Sequence, residues 1–351
     1  MYKRFVRPIL FRISCERIHD LTVKALRLAG LVPGGRALLG ALYAHRSPRL
    51  EKEVFGMRFA NPVGLAAGFD KNAECFRQLG ALGFGFVEVG TVTPRAQSGN
   101  PKPRLFRLPQ DRGLVNRMGL NNYGMEAVAR NLRKPHRGLI VGVNISKNSL
   151  TPNENAPADY LKVFRRLYQW ADYFVVNVSC PNVAQMTALQ NRQSIADILV
   201  QLLEFRRGQN NYRPILLKIS PDLTSEQVDD MIEVVVSHSL DGIVATNTAV
   251  SREGLTTPAA TVARIGNGGM SGAPLTARSL ETVRYISDKT QGRIPIIASG
   301  GIMTPEDARN MLDAGADLVQ VYSGMIYEGP SIVKRICRYL KHVDATTPTM
   351  D

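Results

Sequence analysis

Residues 172–220 carry the pattern that decides the fold of this 351-residue chain. The segment DYFVVNVS (172–179) is largely apolar and rich in β-branched residues, which is typical of a strand buried on both faces. Residues 190–207 then place apolar side chains three and four positions apart, as an amphipathic helix does. PILLKIS (214–220) is a second strand of the same kind. This order of elements predicts a parallel β–α–β unit.

Units of this kind recur along most of the chain. Eight of them in about 270 residues predict an α/β fold of the (β/α)8 TIM-barrel type. A doubly wound open sheet is the alternative, but the first predicted turn, GLAAGFDK (64–71), lacks the G-x-G-x-x-G pattern common in that fold. The predicted strands are 60–67, 84–92, 138–145, 172–179, 214–220, 241–247, 294–299 and 316–322.

The segments outside the strand–helix alternation suggest three parts. We predict a small N-terminal helical extension with its linker at 1–50, the barrel at 51–342 and a tail at 343–351. Residues 30–57 read as the linker from the N-terminal helices. Residues 93–120 are rich in Pro, Gly and Arg, and we expect them to form an excursion, with a small hairpin, over the barrel mouth.

Positive charge is concentrated at the N-terminus. The chain has 44 Lys and Arg against 30 Asp and Glu, a net charge of +14. Residues 1–50 hold ten of the basic residues and only two acidic ones, Glu16 and Asp20. Apolar residues spaced three and four apart lie between them, so we expect one or two amphipathic helices. A basic face opposite an apolar face suits the surface of an anionic membrane.

Other interpretations of this segment remain open. A solvated basic cap packed on the main domain explains the same residues. A cleaved signal peptide lacks its compact apolar stretch here, and a transit peptide would contain more serine. Nucleic-acid binding has no aromatic stacking pattern or reader motif to support it. No apolar run approaches the roughly 20 residues that span a bilayer.

Composition excludes several classes of protein. Hydrophobic residues make up 44% and charged residues 21%, an ordinary globular balance that excludes disorder as the main state. The four cysteines are scattered, which excludes a disulfide scaffold and a four-thiolate zinc site and fits a reducing compartment. They are Cys15, Cys75, Cys180 and Cys337.

Polar side chains collect where the predicted strands end, and catalytic groups of a barrel come from those ends. Amides and lysines dominate, without the histidine or carboxylate clusters of metal or glycosidase sites, so no metal is expected. Amide and ammonium groups suit a planar anionic heterocycle, and glycines after the last two strands let backbone amides approach a phosphate. Singly, each residue has a structural explanation: Gly300-Gly301 as a turn, or Cys180 as a small buried thiol.

Eight motifs, taken together, identify a family. They are NPVGLAAGFDKN (61–72), EVGTVTPRAQSGNPKPRLFRL (88–108), NRMGLNN (116–122), NVSCPN (177–182), ATNT (245–248), GGMSG (268–272), ASGGI (298–302) and VQVYSG (319–324). With them the chain resembles the dihydroorotate dehydrogenases, flavin enzymes of pyrimidine biosynthesis. It is most similar to their membrane-associated, quinone-using class.

The resemblance implies an FMN enzyme that oxidises dihydroorotate to orotate. Cys180 would remove a proton from carbon 5, hydride would pass from carbon 6 to flavin nitrogen 5, and Lys218 would support negative charge on the reduced flavin. His19 and Arg107 would line a quinone tunnel. The implied FMN contacts are Ala67, Gly68, Phe69, Asp70, Lys71, Thr91, Asn144, Asn177, Lys218, Thr246, Gly272, Gly301, Tyr322 and Ser323. The implied substrate contacts are Lys71, Asn116, Arg117, Met118, Gly119, Leu120, Asn177, Asn182, Asn247 and Thr248.

Two positions and one short segment depart from the family's quinone class. Cys180 stands where that class usually has serine and the soluble classes have cysteine, Leu120 stands in place of phenylalanine, and 183–186 read VAQM after Asn182 instead of beginning Pro-Gly. A soluble acceptor (fumarate or NAD) and a repurposed, non-catalytic barrel that binds flavin or RNA therefore stay as alternatives. The resemblance implies a monomer, peripheral on the cytoplasmic face of the cell membrane, with no nucleic-acid partner.

Overall fold

The computed structural model describes residues 2–136, 138–179, 182 and 189–346. Short strands alternate with helices over most of this length, as the sequence predicts. The strands are β1 (Lys52–Val54), β2 (Met57–Phe59), β3 (Val63–Leu65), β4 (Phe86–Val92), β5 (Leu105–Leu108), β6 (Gly113–Asn116), β7 (Ile140–Ile145), β8 (Tyr173–Asn177), β9 (Ile215–Ile219), β10 (Gly242–Ala245), β11 (Gly269–Gly272), β12 (Ile296–Ser299) and β13 (Leu318–Val321).

Helices occupy most of the connections between these strands. Two of them, Ser225–Ser237 and Pro305–Asp313, begin at capping boxes formed by Thr224 with Gln227 and by Thr304 with Asp307. The helices are α1 (Arg7–Leu10), α2 (Cys15–Leu31), α3 (Gly35–Tyr43), α4 (Phe76–Ala81), α5 (Gly124–Leu132), α6 (Ala156–Leu167), α7 (Arg192–Arg207), α8 (Ser225–Ser237), α9 (Ala259–Ile265), α10 (Thr276–Thr290), α11 (Pro305–Asp313), α12 (Ser323–Glu328) and α13 (Ile332–Thr346).

Eight parallel strands close into a barrel, which confirms the predicted TIM-barrel fold. Its strand order is β3-β4-β7-β8-β9-β10-β12-β13, and β13 pairs with β3 to complete the ring. Every residue of β8 and β9 is buried, because the strands face the barrel interior on one side and the helices on the other. The carboxyl ends of all eight strands therefore meet at one face.

The opposite face is closed by a hairpin that the sequence analysis did not predict. β1 and β2 pair antiparallel and overlap the linker expected at 30–57, so that expectation is wrong for 52–57. Val54 and Phe59 are buried in one apolar cluster with Phe86 and Tyr173 from the barrel interior. Burial of this apolar surface, rather than the local sequence, stabilises the hairpin.

The predicted excursion after the second barrel strand is a three-stranded antiparallel sheet. β5 and β6 form the expected hairpin, and β11 from much later in the chain adds to its edge through β6. The sheet places Asn116, at the end of β6, opposite Gly269 of β11.

The N-terminal helices lie beside this sheet. α2 packs on α4 and β5, whereas Leu28 and Leu38 expose 64% and 62% of their surface. In the part of the chain that the structure describes, no single helix has the length and hydropathy of a membrane span. Cys15–Leu31 and Gly35–Tyr43 meet those criteria only as a pair, and they are bent by 117° relative to each other.

Candidate active site

A cavity opens at the carboxyl ends of the barrel strands, beneath the β5–β6–β11 sheet and beside α2. Most residues that the resemblance implies for cofactor and substrate line it. From the cofactor set these are Ala67, Gly68, Lys71, Thr91, Asn177, Lys218, Thr246, Gly272, Gly301, Tyr322 and Ser323. From the substrate set they are Asn116, Met118, Gly119, Leu120, Asn182, Asn247 and Thr248, together with Lys71 and Asn177 from above.

Asn177, at the end of β8, connects the amides of the cavity. Its Nδ2 donates to Thr91 Oγ1 and to Asn144 Oδ1, both at 3.1 Å. Its Oδ1 accepts from Asn247 Nδ2 at 3.2 Å. Asn247 Nδ2 also donates to Ser179 Oγ at 2.9 Å. Four strand ends thus share one hydrogen-bond network, which fixes the orientation of each amide.

A buried carboxylate supports this network from inside the barrel. Glu88 in β4 is fully buried and accepts from Asn144 Nδ2 at 2.8 Å and from Gln320 Nε2 at 2.6 Å. Asn144 does not line the cavity, but Thr91 donates to its Oδ1 at 2.5 Å. Glu88 and Gln320 were not among the predicted site residues, although a glutamate inside an apolar strand signals a functional or structural partner.

Lys218 supplies a positive charge at the cavity floor. The residue is 6% exposed and lines the cavity, and its ammonium forms no hydrogen bond or ion pair with any other residue that the structure describes. A buried ammonium without a partner is costly, so this one is suited to an anionic group within the cavity.

Two glycines directly after β12, the seventh strand of the barrel, present backbone N–H groups without a described partner. The N–H groups of Gly300 and Gly301 donate to no other described residue, and both glycines line the cavity. Gly301 has φ +75°, and a Cβ there would lie 2.3 Å from Thr276 Cα, so the position requires glycine. Loops after the last strands of such barrels commonly bind phosphate.

Two titratable groups lie where α2 meets the cavity. Burial, followed by the charge of Arg104, lowers the pKa of Lys71 to about 8, and its Nζ donates to Gly68 O at 2.7 Å. Burial and the charge of Lys71 lower the pKa of His19 to about 3, so this imidazole is neutral near pH 7. His19 lines the cavity edge and its ring lies 5.1 Å from that of Phe69.

Besides Asn144, four described residues of the implied sets lie outside the main cavity. Phe69 and Asp70 line a neighbouring cleft, and the Asp70 carboxylate accepts from the Glu74 and Cys75 N–H groups. Arg117 donates to Pro103 O and Ile265 O, and Arg107 to Phe11 O and Ile13 O. Cys180, the expected base, lies outside the described residues, as do 183–186.

Glu16 and Arg104 join α2 to the substrate side of the cavity, a link the sequence analysis also missed. Arg104 Nη2 donates to Glu16 Oε1 at 2.8 Å, and its Nη1 donates to Asn100 O at 2.9 Å. Asn100 Nδ2 in turn donates to Asn182 O at 3.1 Å. Burial opposes the ionisation of Glu16, but hydrogen bonds from Arg104 and Lys102 outweigh it and lower the pKa of Glu16.

Comparison with known proteins shows the family to which this chain belongs. The family model for dihydroorotate dehydrogenase matches residues 49–343. Dihydroorotate dehydrogenase (quinone) of Christiangramia forsetii is 48% identical over 96% of this chain and 97% of its own length. The protein of that name from Synechococcus sp. (strain JA-3-3Ab) is 48% identical over 97% and 92%. The crystal structure of the Eimeria tenella enzyme with ferulenol matches with a TM-score of 0.85 and 35% identity, over 93% of this chain and 91% of that one. This chain therefore belongs to the dihydroorotate dehydrogenase family.

Proposed function

We propose that this protein oxidises (S)-dihydroorotate to orotate in pyrimidine biosynthesis, with FMN as cofactor and a membrane quinone as electron acceptor. The observation that carries the proposal is the single cavity in which the amide network around Asn177 meets Lys71 and Lys218. Family membership and relatives named as quinone-dependent enzymes support the same activity.

The described residues fit FMN. The Lys218 ammonium has no partner among the described residues and suits the polar, electron-accepting edge of a flavin. The N–H groups of Gly300 and Gly301, which donate to no described residue, suit its phosphate. Thr91, Asn177 and the other cofactor-set residues that line the cavity would hold the ring between them. When bound, FMN supplies a two-electron acceptor for the hydride of substrate carbon 6.

The remaining chemistry belongs to the chain's own side chains. Lys71, Asn116, Asn182 and Asn247 would bind dihydroorotate, with the Lys71 ammonium on its carboxylate. Asn182 Nδ2 donates to Asn116 Oδ1 at 3.0 Å, which orients these two amides relative to each other. We propose that Cys180 takes the carbon 5 proton, because a positioned thiol with a pKa near its ordinary value of about 8.5 is a far better base at neutral pH than a hydroxyl.

The lowered pKa of Lys71 should make the affinity for orotate depend on pH. Its lowered pKa, about 8, means that the ammonium loses its proton as the pH rises through 8. Affinity for the orotate carboxylate should therefore fall above pH 8, and Lys71→Met should weaken it about 10- to 100-fold at pH 7 with FMN retained. Spectral titration of the bound flavin with orotate measures both effects.

Lys71→Arg is the matched control for that titration. Arginine stays protonated throughout this range, so the loss of affinity above pH 8 should disappear in this variant. An orotate affinity that is constant from pH 7 to pH 10 in the unmodified protein would remove Lys71 from the carboxylate site.

The N-terminal segment is proposed to deliver the quinone. We assign residues 1–50 to a membrane-facing extension, 51–342 to the FMN-binding barrel and 343–351 to a tail. Arg107 anchors the extension, since its guanidinium lies 4.4 Å from the Phe11 ring and donates to Ile13 O at 2.8 Å. We place the protein as a monomer at the cytoplasmic face of the cell membrane, with His19 at the quinone path.

Membrane attachment can be tested on the exposed face of α2. Leu28→Glu should weaken binding to anionic phospholipid vesicles about tenfold or more, because a buried leucine contributes about 1.5–3 kcal/mol. Val236→Glu is the control: Val236 on α8 is 62% exposed and Leu28 is 64% exposed. Vesicle sedimentation measures the binding, and equal loss in both variants would contradict the assignment.

An acceptor panel tests the quinone proposal itself. Steady-state rates with ubiquinone and menaquinone analogues should exceed those with fumarate or NAD. Deleting 1–45 should abolish the quinone rate while dihydroorotate still reduces the flavin. Because position 180 is a cysteine, as in the soluble classes, a dihydroorotate dehydrogenase that uses a soluble acceptor is the second candidate function. Faster turnover with fumarate or NAD than with the quinones would favour this second candidate.

A further inference from the structure

A second groove lies at the opposite end of the barrel from the active site. The residues that line it include Asn61, Phe84 and Leu139, which precede β3, β4 and β7, and several positions between Arg36 and Pro48. We call it the basal groove. Its cavity volume is about 830 Å³, which lies within the range of about 300–1,000 Å³ usual for small-molecule sites.

Three arginines line the basal groove without any acidic partner. Arg36, Arg46 and Arg77 form no ion pair or side-chain hydrogen bond with another residue that the structure describes. Glu51 is the one carboxylate among the described lining residues, and it is already paired with Arg58, whose Nε donates to it at 2.8 Å. The positive charge of the groove is therefore uncompensated within the described chain.

Burial and the concentration of positive charge lower the pKa of two residues that line the groove. Burial and then the charge of Arg36 lower the pKa of Arg77. Burial and then the charges of Lys341, Arg338 and Lys334 lower the pKa of His45, another lining residue. α13 thus adds three cations beside the groove, and like charges gathered in this way are stabilised by a bound anion.

We propose that the basal groove binds a phosphate group, with Arg36 and Arg77 as its principal donors. Guanidinium groups bind phosphate oxygens through paired N–H donors, and half-buried Arg77 offers such a donor away from bulk water. The phosphate can belong to a free phosphate ester or to a lipid headgroup. Leu38 and Leu42 lie on the same helix as Arg36 and are 62% and 54% exposed. These apolar side chains could contact a lipid whose headgroup carries the phosphate.

The test compares two probes on the full-length, FMN-loaded protein. Calorimetric titration with inorganic pyrophosphate at constant ionic strength represents the free ligand. Sedimentation with phosphatidylcholine vesicles, with and without phosphatidylglycerol, represents the headgroup. The double variant Arg36→Gln, Arg77→Gln should bind the responding probe about 100-fold more weakly, about tenfold for each charge-assisted contact.

Arg130→Gln with Arg284→Gln is the matched control, since both arginines are exposed and form no ion pair with a described residue. Its affinity should stay within about twofold of the unmodified protein. A response to pyrophosphate assigns a free phosphate ester, and a response only to anionic vesicles assigns a headgroup. If neither probe distinguishes the double variant from the control, the proposal is overturned.

Reduction of the flavin by dihydroorotate, measured on the same samples, reports whether each variant is folded and separates this site from the active site. Should the double variant lose flavin reduction, the single variant Arg36→Gln replaces it. Arg36 is exposed, and its loss should weaken binding about tenfold. An unchanged affinity in Arg36→Gln would then overturn the proposal.

Discussion

Cys180→Ala should keep its FMN and reduce it with dihydroorotate about 10²–10⁴ times more slowly than the unmodified protein, because a positioned base contributes about that much to proton abstraction. Flavin binding should survive because the side chains that surround the cavity, among them Asn177 and Lys218, are unchanged. Anaerobic stopped-flow absorbance of the flavin measures the rate directly.

Two further variants sharpen this test. Cys180→Ser replaces a thiol of ordinary pKa about 8.5 with a much weaker acid, so its rate should be lower at pH 7 and rise further into the alkaline range. Cys337→Ala is the control: burial raises the pKa of that thiol to about 12, and it lies in the core as part of α13. Near-normal flavin reduction in Cys180→Ala would show that another group is the base.

Lys218→Met should give the second largest effect. Among the described residues Lys218 is the one cation placed inside a barrel strand at the cavity, where low polarity strengthens its attraction for negative charge on a reduced flavin. We expect flavin reduction to slow about 10²–10³-fold, as when one preorganised electrostatic donor is lost, and the flavin potential to fall. Stopped-flow absorbance and a redox titration of the bound flavin measure the two effects.

Lys147→Met is the control for Lys218→Met, because it removes a buried lysine that lies outside the cavity. Lys147 is 1% exposed, donates to Thr151 O at 2.8 Å and does not line the cavity. Its removal should lower thermal stability while the flavin potential stays unchanged. If Lys147→Met and Lys218→Met shift the potential equally, Lys218 has no specific role toward the flavin.

The barrel could be predicted from the sequence because its strands are recognisable one at a time. A segment such as 214–220 is apolar over its whole length, and β9 occupies Ile215–Ile219 within it. The first strand is less clear: 60–67 was predicted, but β3 covers only Val63–Leu65. The glycine and proline residues around it have low strand propensity. β3 forms there because it pairs with β13 and β4 when the barrel closes.

Contacts between distant parts of the chain could not be predicted in the same way. β11 joins the β5–β6 hairpin only because the barrel brings Gly269 beside Asn116. The pairing of Glu16 with Arg104 likewise depends on how α2 packs on β5. Side-chain partners that are separated by many residues leave no periodic signal in the sequence. Site residues at the strand ends can be predicted, because each strand is recognisable and every strand of a barrel ends at the same face.

The most direct measurement of the central claim is the visible absorbance of the purified protein before and after anaerobic dihydroorotate. We expect a yellow protein with about one FMN per chain, whose absorbance near the flavin maximum is lost on adding substrate and regained on adding a quinone. A colourless protein that takes up no FMN, or a bound flavin that dihydroorotate leaves oxidised, would contradict it.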